Sequence, residues 1–195
     1  MSLSFREITY APAVVSAVTG ISPDMQRDWR RQQYIPANDG WAAYTLNELA
    51  AFYFVKLLLA AGFKPAQAWA LADAEVTAAI VFHAAMVPGA IIDKTENRIL
   101  TKRPTYIVKA AKDLTGRNAW AAKIYAWGPS LEPSAYASIE DASNAAAGER
   151  YPQVVSFLNL EEVGTSFAFR VEGAHTVLAV LEDMPAKPAK RSAAG

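Results

Sequence analysis

Gly20-Ile21-Ser22-Pro23-Asp24-Met25-Gln26-Arg27-Asp28-Trp29-Arg30-Arg31 is the stretch on which the reading of the N-terminal third turns. Gly20 can take the backbone angles a sharp turn requires. Ser22 is a favourable N-cap, and Pro23 suits the first helical position, where its missing N–H costs nothing. Asp24 adds negative charge to the first turn, where the helix dipole favours it. A capped helix carrying Gln26, Arg27, Trp29, Arg30 and Arg31 is therefore expected. Upstream, Val14, Val15 and Val18 have helical spacing in a short helix from Pro12 to Val18. A short helix, a glycine turn and a capped, arginine-bearing second helix are the parts of a helix-turn-helix, which sets its second helix in the DNA major groove.

Working outward, Tyr34-Ile35-Pro36 ends the second helix, because a residue before proline avoids the helical region. Ala37-Asn38-Asp39-Gly40 reads as a turn between two short extended pieces, Tyr34–Ile35 and Trp41–Tyr44, making a small hairpin or wing. Thr45-Leu46-Asn47-Glu48 has capping-box spacing and opens a helix to about Ala61, with Gly62 as its C-cap. Pro65 starts a further helix, expected to continue to about Met86 before Pro88-Gly89 stops it. That helix is Ala-rich and apolar over much of its surface, with Trp69, Leu71, Val76, Ile80 and Val81. Such a surface calls for burial, which a partner could supply in a dimer.

Beyond Pro88 the composition changes. Residues 97–111 and 118–127 are rich in Ile, Tyr, Val, Thr and Trp and read as strands. Ser138 to Ala147 reads as helix and Gln153 to Leu158 as a buried strand. Asn159 caps a helix from Leu160 to about Val171, although Phe167 to Val171 also suits a strand. Thr176 to Leu181 reads as the last strand. The Pro-, Ala- and Lys-rich residues 185–195 read as a disordered tail.

Bulk composition narrows the classes. Hydrophobic residues make up 52% of the 195 and charged residues 19%, which permits a packed core. The chain has no cysteine, which excludes disulfides, thiolate catalysis and Cys-based zinc sites and fits a reducing, cytoplasmic setting. No basic region followed by an apolar run marks a signal peptide. The most apolar stretch, Leu49 to Phe63, is too short to cross a bilayer and contains Lys56, so no membrane association is expected.

Charge is balanced overall but segregated. Lys94 to Lys123 holds eight basic residues against two acidic ones, and Glu132 to Asp183 holds nine acidic residues against two basic ones. The two runs suggest mutual pairing, within one chain or across a dimer, or an extended DNA footprint. Residues 1–64 hold six basic and five acidic residues, so DNA binding there would rest on Arg27, Arg30 and Arg31.

The order helix, Gly turn, Ser-Pro-Asp-capped helix, Pro, Gly-containing wing, Tyr-Thr, helix, Gly-Phe, helix resembles the MerR family of winged helix-turn-helix transcription regulators. Ile21 to Trp29 looks like the family's recognition helix, with Ser22, Arg27 and Trp29 on its typical Ser, Arg and aromatic positions. Ile35-Pro36 matches the helix exit. Gly40-Trp41-Ala42-Ala43-Tyr44-Thr45 resembles the wing, and Ala61-Gly62-Phe63 the step before the next helix. The likeness covers roughly the first third of the chain. Four positions depart from it: Ala42 stands where the wing arginine is usual, Gln33 where a glycine follows the recognition helix, Gln26 where an apolar residue precedes the arginine, and Arg30 where an acid follows the aromatic.

The resemblance implies a DNA-binding set of Ser22, Gln26, Arg27, Trp29, Arg30, Arg31, Tyr44 and Lys64, with recognition helix 23–33 in the major groove. Ser22, Arg27 and the helix N-terminus would hold phosphate. Gln26, Arg30 or Arg31 would reach base edges, since Arg suits guanine and Gln suits adenine. Lys64 would touch a flanking phosphate. By residue type alone, Trp29 and Tyr44 also fit simple packing, and arginines on an amphipathic helix also fit a solvated face.

His83 and His175 are isolated, no metal or other cofactor is expected, and Glu161 and Glu162 read as helix-start residues. Phosphate loops and the motifs of serine and zinc hydrolases are absent, so no enzyme is expected.

The sequence therefore predicts an α+β protein with a winged helix-turn-helix at residues 5–68, a connecting or dimerisation helix at 65–88, a smaller C-terminal α+β domain at 93–184 and a tail at 185–195. The expected function is a dimeric, sequence-specific transcription regulator that binds double-stranded DNA. The competing expectations are a phage or mobile-element protein-interaction adaptor that keeps the winged fold without DNA readout, and a small-molecule sensor acting through the C-terminal region.

Overall fold

The computed structural model describes residues 3–6, 8–35, 43–95, 112, 122–128, 133–147 and 156–183. Along the chain run β1 (Leu3–Arg6), α1 (Pro12–Thr19), α2 (Pro23–Arg31), α3 (Leu46–Ala60), α4 (Pro65–Leu71), α5 (Ala74–Ala85), β2 (Ile91–Asp93), β3 (Ile124–Trp127), β4 (Ser134–Tyr136), α6 (Ile139–Ala147), β5 (Ser156–Asn159), α7 (Leu160–Gly173) and β6 (Ala179–Asp183). The mixed α+β class is as expected.

Local capping fixes several boundaries. Gly20 sits at φ 77° and closes α1, its N–H donating to the Ser16 carbonyl. The Ser22 Oγ accepts from the Met25 N–H at 3.2 Å. The Thr45 box is complete: its N–H donates to Glu48 Oε2 at 2.6 Å, and its Oγ1 accepts from the Glu48 N–H at 3.2 Å. Asn159 caps α7 through the Glu161 and Glu162 N–H groups. Helix continues through Phe167 to Val171, which resolves the ambiguity there in favour of helix.

The single helix expected from Pro65 to Met86 is two helices, bent by 72° at the break. Asp73 causes it. Its Oδ1 accepts from the N–H groups of Glu75 and Val76 at 2.8 and 3.0 Å, which starts a new helix in place of continuing the old one. No single described helix is long and apolar enough to cross a membrane.

α5 is buried along ten of its twelve residues, and its principal cover is α7 of the same chain. The α5 part of the apolar surface that suggested a dimer helix is thus covered within the chain, while Trp69 and Leu71 of α4 are half-buried. The approach is close at Gly164, where a Cβ would lie 2.5 Å from His83 Cβ and 2.8 Å from the Ile80 carbonyl oxygen.

Among the described residues the strands form two three-stranded sheets. In one, β6 lies between β1, antiparallel to it, and β2, parallel to it. In the other, β3 lies between β4 and β5, antiparallel to both. The chain's first strand therefore pairs with its last, and the exposed Arg6 and Glu182 side chains meet at 3.0 Å. Tyr10 is bonded into both ends of the chain. Its backbone bridges Tyr44, and its hydroxyl is shared between the carbonyls of Val177 and Leu178 at 2.9 and 3.0 Å. One apolar core runs from Val15, Trp29 and Phe52 through Ile80 to Leu160, Phe167 and Leu178. A second, smaller cluster joins Ile124, Ala126, Ala142 and Ala146.

Several sequence expectations fall wholly or partly on residues outside the description: the turn expected at 37–40, the strand at 97–111, residues 118–121 and 153–155 of two later strands, and the tail. At the margins of the wing, Tyr34 and Ile35 form a bend, and the described β-partner of Tyr44 is Tyr10.

Candidate nucleic-acid interface

α2 is short, and its two sides have separate jobs. Gln26 and Trp29 face inward. Asp24, Arg27, Asp28 and Arg31 have i, i+3, i+4, i+7 spacing and form one outward ridge. Beneath the helix lies an aromatic cluster. Trp29 stacks on Phe52 with ring centroids 6.1 Å apart and meets Trp69 edge-on at 5.5 Å, while Tyr44 and Trp69 each meet Phe52 edge-on near 5 Å. Such pairs contribute about 0.5–1.5 kcal/mol each beyond area burial. They seat α2 on α3 and α4, so the outward ridge stands on a rigid base.

Of the eight expected contact residues, three do not face outward. Gln26 is 1% exposed, and its Nε2 donates to the carbonyls of Ile21 and Pro12 at 2.9 and 3.1 Å. It ties α2 back to α1 and to the turn, so no amide is left to read adenine. The departure from an apolar residue at this position is therefore structural. Trp29 is 5% exposed and Tyr44 1%, both committed to the aromatic cluster. Burial also raises the Tyr44 phenol above its ordinary pKa.

Arg30 is intermediate. Its guanidinium carbon lies 5.1 Å from the Tyr44 ring centroid, a cation–π contact. Its Nε and Nη2 are buried with no hydrogen-bond acceptor among the described residues. Arg30 thus lies at the base of the ridge, half-buried, and also lines the hollow against it.

The remaining four residues are exposed: Ser22, Arg27, Arg31 and Lys64. Arg27 pairs with Asp24 and Arg31 with Asp28, each through Nη2 and Oδ1. Ser22 spends its acceptor on the Met25 N–H, and the Gln26 N–H bonds the Ser22 carbonyl. With Pro23 lacking an N–H, the open donor of the first turn is that of Asp24, beside its own carboxylate. That end of α2 is poorly suited to phosphate. Lys64 stands at the head of α4, whose Trp69 reaches α2 through Trp29. A surface hollow of about 620 Å³ opens against the ridge, lined by Asp24, Arg27, Asp28, Arg30 and Arg31.

A second hollow, of about 650 Å³, is lined by Phe82, His83, Met86, Lys112, Lys123, Glu161 and Thr165. Here Lys123 pairs with Glu161 at 3.1 Å, which joins the basic run to the acidic one within a single chain. His83 is buried, and its Nε2 meets the Ala122 carbonyl oxygen at 3.0 Å. A carbonyl only accepts, so this nitrogen carries the proton and serves as a structural donor.

Comparison of the sequence with family profiles and with curated proteins finds no match. Functional inference accordingly rests on the chemistry of the α2 ridge and the hollow against it.

Proposed function

We propose that this protein is a sequence-specific DNA-binding regulator with a MerR-like winged helix-turn-helix, in which α2 enters the major groove. The carrying observation is that Arg27 and Arg31 stand exposed on one ridge of α2 while its opposite side is locked to α3 and α4 by Trp29. Arginine forks suit guanine edges, and the packing of Trp29 fixes the helix from which they extend. Within this reading Arg27 and Arg31 reach the bases, and Lys64 touches the backbone. A regulator that reads two-fold-related half-sites needs a second copy, joined through a surface other than the covered face of α5.

Binding to a selected duplex across a salt series tests this. Arg27→Ala and Arg31→Ala should each weaken specific binding about 5-fold or more, the loss expected when one base-edge pair is removed. Unchanged affinity in both variants would remove α2 as the DNA-reading helix.

The charge balance of the ridge favours a second reading, as a docking face for a protein partner bearing both charge signs. Binding that stays selective for a protein and never discriminates between duplexes would establish it.

A further inference from the structure

We propose that Asp24 and Asp28 are specificity-determining residues of the α2 ridge. They hold the Arg27 and Arg31 guanidinium groups for base edges and suppress indiscriminate phosphate binding. The inference rests on the DNA reading of α2 and deepens it.

The pairing is regular. Each carboxylate meets the arginine three residues later, Asp24 with Arg27 and Asp28 with Arg31, and all four side chains lie on the exposed ridge. An arginine has five N–H donors, so one Nη2 contact to a carboxylate leaves enough for a bidentate bond to guanine O6 and N7. The carboxylate narrows the conformations of a long side chain before DNA arrives. It also has unused lone pairs, and the cytosine of the same base pair presents an N4 donor in the major groove. A G·C pair therefore satisfies both members of an Arg–Asp couple, whereas a phosphate meets like charge at the acid.

The remaining geometry points the same way. The first turn of α2 has Pro23 at its head, the Met25 N–H taken by Ser22, and the Asp24 carboxylate, which would repel a phosphate. The four ridge charges cancel. Arg27 and Arg31 are four residues apart, about 6 Å along the axis, so both couples can engage G·C pairs within one groove segment.

The test uses the full chain. Wild type is first allowed to select duplexes from a random pool, and the selected site is expected to contain two G·C pairs at which substitution weakens binding. Asp24→Asn and Asp28→Asn, near-isosteric and on an exposed ridge, are then measured against the selected duplex and a scrambled one in a salt series. Each variant should bind the scrambled duplex several-fold more tightly. The ratio of specific to non-specific affinity should fall about 5-fold or more. The salt slope on scrambled DNA should steepen by about 0.9, as expected for one extra phosphate contact. A ratio unchanged from wild type would overturn this inference alone and leave the acids as solvated counter-charges. Failure of wild type to select any duplex would overturn the DNA reading and this inference with it.

Discussion

Gly164→Ala tests the close packing of α5 against α7 in the larger apolar core. A Cβ at this position would lie 2.5 Å from His83 Cβ, 2.8 Å from the Ile80 carbonyl oxygen and 2.9 Å from the Ala84 nitrogen. Ordinary carbon–carbon contact begins at about 3.5 Å, so α7 would have to retreat from α5 by about 1 Å. The obstructing atoms are backbone atoms and a Cβ, which no rotamer change can move aside. Overpacking costs about 1–3 kcal/mol, and this site belongs at the upper end. Alanine recovers about 1 kcal/mol of helix propensity, which leaves a net loss of about 2 kcal/mol. For a chain of this size that corresponds to a fall in Tm of about 4–8 °C. Gly173, in the same helix, has nothing within 4 Å of an added Cβ, so Gly173→Ala is the matched control. It should be neutral or slightly stabilising. Thermal and urea denaturation of both variants would decide the matter. A Gly164→Ala protein as stable as wild type would refute the close α5–α7 approach.

Other expectations follow from the same physical arguments. Gln26→Ala removes two amide-to-carbonyl bonds and leaves a void between α1 and α2, so it should cost about 2 kcal/mol or more in denaturation. Its selected DNA sequence should be unchanged, whereas a base preference lost at one position would return Gln26 to the reading set. Gln33 follows α2 at φ 62°, a region that strains a side-chain-bearing residue. Gln33→Gly should stabilise the protein by about 0.5 kcal/mol, and a destabilised variant would contradict that strain. Burial raises the phenol pKa of Tyr10, Tyr44, Tyr53 and Tyr125 above the ordinary 10.0. Above pH 10.0 the unfolded chain loses these protons while the folded chain keeps them. Stability should therefore be complete below that pH and decline above it. Phenolate absorbance should show part of the tyrosine complement ionising only as the fold is lost; full ionisation in the native protein would contradict their burial.

Short-range chemistry was readable from residue identity. Ser22, Thr45 and Asn159 each announce a helix start because capping depends on residues two or three positions away. The break at Asp73 carried a comparable signal, an acid followed by Glu75 and Val76, but it was hidden by an Ala-rich pattern that suits one continuous helix. Long-range outcomes left little trace. Nothing local to residues 3–6 specifies a partner at 180–183. Gly164 looks like a weak point in a helix until the helix opposite it is known. Within the candidate interface, residue type singled out Arg27, Arg30 and Arg31 together, and the structure separates the exposed Arg27 and Arg31 from the half-buried Arg30. The fate of Gln26, Trp29 and Tyr44 depended on which side of α2 meets α3 and α4, a tertiary fact that a nine-residue helix does not encode by itself.

The central claim is that the α2 ridge reads DNA sequence. Its most direct measurement is equilibrium binding of the full chain to fragments of its own genome, including the one upstream of its coding sequence, against unrelated duplex over a salt series. The account predicts at least one fragment bound well above the non-specific level, with that preference lost in Arg27→Ala and Arg31→Ala. Uniform binding of all fragments, or none above background at low salt, would contradict it.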